Sequence, residues 1–249
     1  NEFLVRGVEN GRRFHSRDSF NPTFFIKSNK KTKYKTLTGE YVEEIHPGTV
    51  RECREFCKKY EQVDGFEVYG NEKYIYQYIS ENYPEDEVKF DTKQIKLVTI
   101  DIEVASEYGF PDVESCSEEI LAITMQNYAT KEITTWGVKP FNVKQDNVTY
   151  HYRPTERELL GSFLHEWISD IPDVVTGWNI QLYDIPYICR RMERVLGKRT
   201  MKTFSPWGLV SEKEIYIQGR RNCIYDIGGI TQLDYLDLYK KFTYKAQES

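Results

Sequence analysis

Hydrophobic and polar positions alternate along this chain with two different periods, and the switches between them outline its elements. Near the N-terminus, GRRF and TFFIKS read as strands. TVRECREFCKKY reads as a helix because Thr49 and Glu52 are spaced as a capping box, and a second short helix is expected from Asn71 to about Tyr83. IKLVTIDIEV, EILAITMQNY and EITTWGV then follow as three successive strands, the last two joined by the turn-like ATK. In TERELLGSFLHEWISD the positions Leu159, Leu160, Phe163, Leu164 and Trp167 make an apolar helical stripe behind a Thr155/Glu158 capping pattern. DVVTGW is a buried-strand run that leads through NIQLYD into another helix, where Ile185, Ile188, Met192 and Val195 recur at helical spacing. Pro186 suits that helix's first turn, Gly197 its end, and Asp184 its N-cap. EIYIQGRRNCIYDIGGITQLDYLDLYKKF alternates like a hairpin before entering a polar-aromatic segment. No repeat or Gly/Ser linker separates these blocks, so the boundary falls in ENYPEDEVKFDTK, Glu81 to Lys93. The expectation is a small α+β domain over residues 1–92 and a second α/β domain over 93–249.

Composition narrows the class. With 249 residues, 39% hydrophobic and 14% aromatic, the chain has the material for packed cores and is not a disordered segment. No apolar run approaches the roughly 20 residues of a membrane span, and NEFLVRGVENGRR lacks a signal-peptide pattern, so no membrane partner and an intracellular setting are expected. Five scattered cysteines fit reduced thiols. Cys53 and Cys57, four apart on a helix, have no second Cys or His pair to complete a zinc site, and core or surface thiols are the expectation. A net charge of −5 argues against a surface that coats nucleic acid throughout. Basic residues do cluster from Lys27 to Lys35 and from Arg190 to Lys202. Solvated surface with a dipole-complementing helix end, and contact with phosphates, both remain open for these clusters.

The chemistry-bearing pattern is in LVTIDIEVAS. On a strand, residues i and i+2 share a face, so Asp101 and Glu103 project together beyond an apolar run. Two adjacent carboxylates repel, and a divalent cation with a taste for hard oxygen ligands, magnesium or manganese, relieves that repulsion. The bare Asp-x-Glu pattern is equally that of an exposed strand end, and Asp112 and Glu114 repeat it in FPDVES, where Pro111 and polar neighbours indicate a loop.

TIDIEVAS resembles the first exonuclease motif of family B DNA polymerases, and TGWNIQLYDIPYI resembles the second. RTMKTFSPWG and LDYLDLYKKF extend the likeness, which from Ile95 to Phe242 is to the polymerases of T-even-type bacteriophages. The resemblance implies a ribonuclease H-like exonuclease domain with a mixed sheet behind a small N-terminal domain. It implies Asp101 and Glu103 as metal ligands, Asp184 as ligand of a second metal directly or through water, and Asn179 as the residue positioning substrate or Asp184. Phe110, in YGFPD, matches an aromatic segment that stacks on the unpaired 3′ end. The implied cofactors are two magnesium or manganese ions in the complete domain. The implied partners are a single-stranded DNA 3′ end, primer–template DNA and replication accessory proteins, in the cytoplasm of an infected host cell. The family's third motif, Tyr-x-x-x-Asp, has no match after Asp184, since neither Asp226, Asp234 nor Asp237 has a tyrosine four residues before it. The chain is therefore expected to be the N-terminal and partial exonuclease region of a viral DNA-directed DNA polymerase, with proofreading impaired. The alternatives are a noncatalytic nucleic-acid-binding or assembly module and, third, a self-contained ribonuclease or repair nuclease.

Overall fold

A computed structural model of the chain describes residues 2–83, 91–107 and 109–243. The chain divides into two compact units, residues 1–90 and 91–249. In the first, β1 (Glu2–Glu9) and β2 (Arg12–Ser19) form a hairpin whose turn residues Asn10 and Gly11 both have positive φ, as a tight two-residue turn requires. They are followed by β3 (Phe24–Lys27), β4 (Tyr34–Lys35), β5 (Tyr41–Ile45), α1 (Val50–Tyr60), β6 (Val68–Tyr69) and α2 (Tyr74–Asn82). The order of the antiparallel sheet is β4-β5-β3-β6. Thr49 and Glu52 close the expected capping box on α1, whose Cys53 packs with Phe24 and Tyr74 in a small core. Cys53 is thus a core thiol and Cys57 a half-buried one.

The second unit opens with a 3-10 turn (Thr92–Gln94) and runs β7 (Leu97–Val104), β8 (Ile120–Asn127), β9 (Ile133–Gly137), β10 (Val148–Tyr152), α3 (Glu156–Ser169), β11 (Val174–Gly177), α4 (Asp184–Leu196), α5 (Lys198–Lys202), β12 (Val210–Ile217), β13 (Arg220–Ile227), β14 (Thr231–Asp234) and α6 (Tyr235–Phe242). Six strands make one mixed sheet in the order β10-β9-β8-β7-β11-β14. β7, β8 and β9 are an antiparallel meander, while β11 and β14 join parallel on the other side of β7 and β10 joins parallel beyond β9. Val98, Ile100 and Ile102 of β7 enter the core with Leu159, Leu160, Phe163, Leu164 and Trp167, so the whole α3 stripe is buried as its spacing predicts. Trp167 stacks on Phe204 and donates its indole N–H to the Phe204 carbonyl at 2.9 Å, which satisfies its polar atom inside the core.

The strand assignments on either side of Asp101 hold, while several elements escape the sequence pattern, among them three in the second unit. β10 and β14 are short parallel strands at the sheet's two edges, and the polar-aromatic segment after β14 is the helix α6. Gly177 closes β11 where a Cβ would stand 2.5 Å from the Ile100 carbonyl oxygen, so only glycine lets the end of β11 lie this close to β7.

Candidate active site

β7 is the central strand at which the chain changes sides, its neighbours being β8 in one direction and β11 in the other. In such sheets, the crevice beyond the carboxyl ends of the strands is the usual ligand position. The pairing of β7 with β11 stops at Thr99–Thr176, and its register with β8 shifts between Glu103 and Val104. A bulge of that kind re-aims side chains next to functional sites. Asp101 and Glu103 stand on this stretch, both exposed, on the face opposite Ile100 and Ile102. Partial desolvation of its carboxyl by the surrounding protein still pushes Asp101 up.

Asp184 fills the gap that β11 leaves. Its Oδ1 accepts the Ile102 amide at 3.1 Å, a β7 donor lying beyond the last β7–β11 pair. The sequence assigns Asp184 as N-cap of α4; instead the cap is Tyr183 and Asp184 is the first helical residue, only 3% exposed, with no side-chain cap bond. The reason is the turn before it. Asn179 adopts φ +61°, its carbonyl accepts the Leu182 and Tyr183 amides, and the Ile185 amide goes to the Ile180 carbonyl. With the Ile185 amide taken by the Ile180 carbonyl and the Tyr187 amide by that of Tyr183, the Asp184 carboxyl turns to the strand. Its carboxyl is pushed up to about 7, first by burial and then by the Asp101 charge. No ion pair to Asp101, Glu103 or Asp184 occurs among the described residues.

Phe110 is 86% exposed, and its ring centroid lies 5.4 Å from that of Tyr183, the residue beside Asp184. The structure thus brings Asp101 within electrostatic range of Asp184 and sets Phe110 beside the Asp184 turn. It does not gather a cage: among the described residues no three Asp, Glu, His or Cys side chains converge on a common point that would hold a metal ion. The fit to a divalent cation rests on donor chemistry, namely hard carboxylate oxygens, repelling one another and lacking a cationic partner.

One residue that sequence reasoning passes over as a bare later aspartate organises this turn. Asp234, 6% exposed at the end of β14, accepts the amides of Asn179 (2.9 Å) and Gln181 (3.0 Å), and that of Leu236 (2.9 Å) as N-cap of α6. Its signal is an aspartate directly ahead of the helical spacing in DYLDLYKKF. The basic run from Arg190 divides: Lys198, Arg199 and Lys202 are exposed, with Arg199 and Lys202 in the last turn of α5 as a dipole-complementing helix end requires, while the α4 arginines turn to backbone carbonyls. Arg190 donates to the Val113 and Glu114 carbonyls, Arg191 to Cys116 and Ser117, and Arg194 to Ser115 and Cys116. Asp112, the second Asp-x-Glu acid, accepts the Glu114 and Ser115 amides in a turn, which holds its carboxyl below the usual range.

Residues 51–248 match the model of the DNA polymerase family B exonuclease domain. The chain belongs to this family. It is 32% identical to the DNA-directed DNA polymerase of Enterobacteria phage T4 over 95% of its length, and 28% identical to that of Escherichia phage RB69 over 96%. DNA polymerase 037L of Invertebrate iridescent virus 6 is 27% identical over 69% of the chain and 15% of its own length. The chain spans 29% of each of the two phage polymerases. The six-stranded mixed sheet with its flanking helices is the ribonuclease H-like arrangement expected of a family B exonuclease domain. Among the described residues, no helix is long and apolar enough to cross a membrane.

Proposed function

We propose that this family B exonuclease region serves proofreading, the hydrolysis of single-stranded DNA from its 3′ end, within a viral DNA-directed DNA polymerase. Residues 1–92 would be that polymerase's N-terminal domain and 93–249 its exonuclease domain up to the third motif. The observation that carries the reading is Asp184, buried without a cationic partner against the Asp101 end of the central strand. Retaining a carboxylate there costs stability, and a site for cations explains why it is kept. Asp101, Glu103 and Asp184 are the residues that would hold magnesium or manganese, which supply an activated water and stabilise the departing oxygen.

The chain's own groups do the rest. The Ile102 amide fixes the Asp184 carboxylate, and the Asp234 carboxylate fixes the turn that carries Asn179, the residue assigned to position the substrate. Phe110 offers a stacking face to an unpaired base, a contact tolerant of sequence, as removal of any mismatched nucleotide demands. Primer–template DNA and replication accessory proteins are the wider partners, in the cytoplasm of an infected cell.

A second reading, a noncatalytic nucleic-acid-binding or assembly module, is favoured by one observation: no three-acid cage forms among the described residues. A labelled single-stranded oligonucleotide in magnesium separates the two. Residues 1–249 are expected to hydrolyse it little, because Tyr-x-x-x-Asp is missing, while a polypeptide extended through that motif degrades it from the 3′ end and loses the activity with Asp184→Ala. Full activity in the 249-residue chain that survives Asp184→Ala would place the chemistry elsewhere.

A further inference from the structure

The segment after Phe110 has an unusual backbone economy. From Val113 to Ser117, five successive carbonyls accept hydrogen bonds from the guanidinium groups of a single helix, α4: Arg190 takes Val113 at 2.7 Å and Glu114 at 2.8 Å, Arg194 takes Ser115 at 2.7 Å and also Cys116, and Arg191 takes Cys116 at 3.0 Å and Ser117 at 3.3 Å. Exposed loops ordinarily leave such carbonyls to water and remain mobile. Charge-assisted bonds to three planar donors instead fix the path of this loop. The far end is fastened too, since the buried Glu156 carboxylate takes the Ile120 amide at 2.9 Å together with Arg191 Nε at 2.8 Å, and the Tyr187 hydroxyl donates to the Glu118 carbonyl at 2.9 Å.

Phe110 lies three residues before the first anchored carbonyl, with Pro111 buried between them. Its ring is 86% exposed and touches Tyr183, one residue from the α4 N-terminus. One helix therefore carries both the Asp184 carboxylate and the anchors of the loop that presents the aromatic face. We infer that Arg190, Arg191 and Arg194 are positioning residues for Phe110, holding the stacking face at a set distance from Asp184. This rests on the proposed stacking role of Phe110. An exposed ring on a fastened loop loses little conformational freedom when a base stacks on it, which is how pre-organisation strengthens binding.

Arginines that position the loop and arginines that contact phosphates respond differently to salt. The test uses residues 1–249 and a single-stranded oligonucleotide whose 3′-terminal base is 2-aminopurine, in EDTA so that no hydrolysis competes. Phe110→Ala should abolish the quenching of the terminal base on binding. Arg190→Gln and Arg194→Gln, neither part of the buried Glu156 pair, should each lose most of that quenching and about fivefold in affinity, while the slope of log affinity against log salt stays as in the wild type. Adding Arg194→Gln to Phe110→Ala should change the quenching no further. Near-ultraviolet circular dichroism confirms that each variant is folded, and should one arginine variant unfold, the other decides. A slope that becomes shallower by about 0.7 per arginine would mean phosphate contact and overturn the inference. So would intact quenching in both arginine variants, whatever their stability. Were Phe110→Ala itself to leave the quenching unchanged, the stacking role would fall and the positioning role with it.

Discussion

Helix α4 buries an acidic and a basic side chain two turns apart, Asp184 and Arg191, and treats them in opposite ways. Arg191 meets Glu156 through two hydrogen bonds, with both side chains almost completely buried, and its Nη1 donates to the Cys116 and Ser117 carbonyls. Nothing in that pair is left unsatisfied. Asp184 is as deeply buried, yet its partners are only backbone amides, its own and that of Ile102, and Asp101 is a repelling neighbour. The first arrangement fixes the fold, because taking either partner away strands a charge. The second leaves a charge that the fold itself does not need.

Breaking the paired charge should give the largest effect. Arg191→Ala is expected to destabilise the second unit by about 3–5 kcal/mol in urea unfolding, since Glu156 is left buried and alone. Replacing both partners together, Glu156→Leu with Arg191→Met, should recover much of that loss, which would show that the pair serves specificity of the loop more than net stability.

Removing the unpaired charge should have the opposite sign. The Asp184 carboxyl titrates near 7 in the folded chain, above its unfolded value near 3.9, so the folded state holds the extra proton between those limits. Stability contributed by the protonated form is present below about pH 4 and is lost as pH rises through 7. Asp184→Asn should therefore raise stability by about 2–3 kcal/mol at pH 8 in EDTA and change it little at pH 4. A variant destabilised at both pH values would place Asp184 among the structural charges.

The smaller tests concern what the unpaired charge is for. Phe110→Ala should weaken binding of a single-stranded oligonucleotide by about 1–3 kcal/mol, with duplex affinity little changed. Equal losses for both would remove the ring from the single-strand site. Manganese should bind residues 1–249 with millimolar or weaker affinity, and Asp101→Ala should weaken it at least tenfold, about 1.4 kcal/mol. Identical titration curves for wild type and variant would dissociate the strand-borne acids from the metal.

What was legible in the sequence followed its local periods. The α1 capping box, the α3 stripe, the β12–β13 hairpin and the face shared by Asp101 and Glu103 all depend on residues a few positions apart, and each is found as its spacing predicts. What escaped depends on partners distant in the chain. β10 and β14 are short, and their strand character comes from pairing with β9 and β11. Asp184 leaves the cap position because the Asn179 turn, held by Asp234, supplies bonds the local sequence does not reveal. The arginines looked like surface charge because the carbonyls they bind precede them by more than 70 positions.

The edge strand β14 gives the site an order of assembly. β7 is translated early in the second unit, β11 later, and Thr231–Asp234 later still, so a nascent chain has both acids of β7 and the Asp184 helix before it has the carboxylate that receives the Asn179 and Gln181 amides. At synthesis rates of about 5–20 residues per second, the interval between Asp184 and Asp234 lasts several seconds. During that time, β11 is an unpaired edge and the Asn179 turn lacks its tether. A ribosome stalled between these two points would display the acids on a scaffold that still lacks this tether, so maturation of the cleft is tied to the arrival of β14.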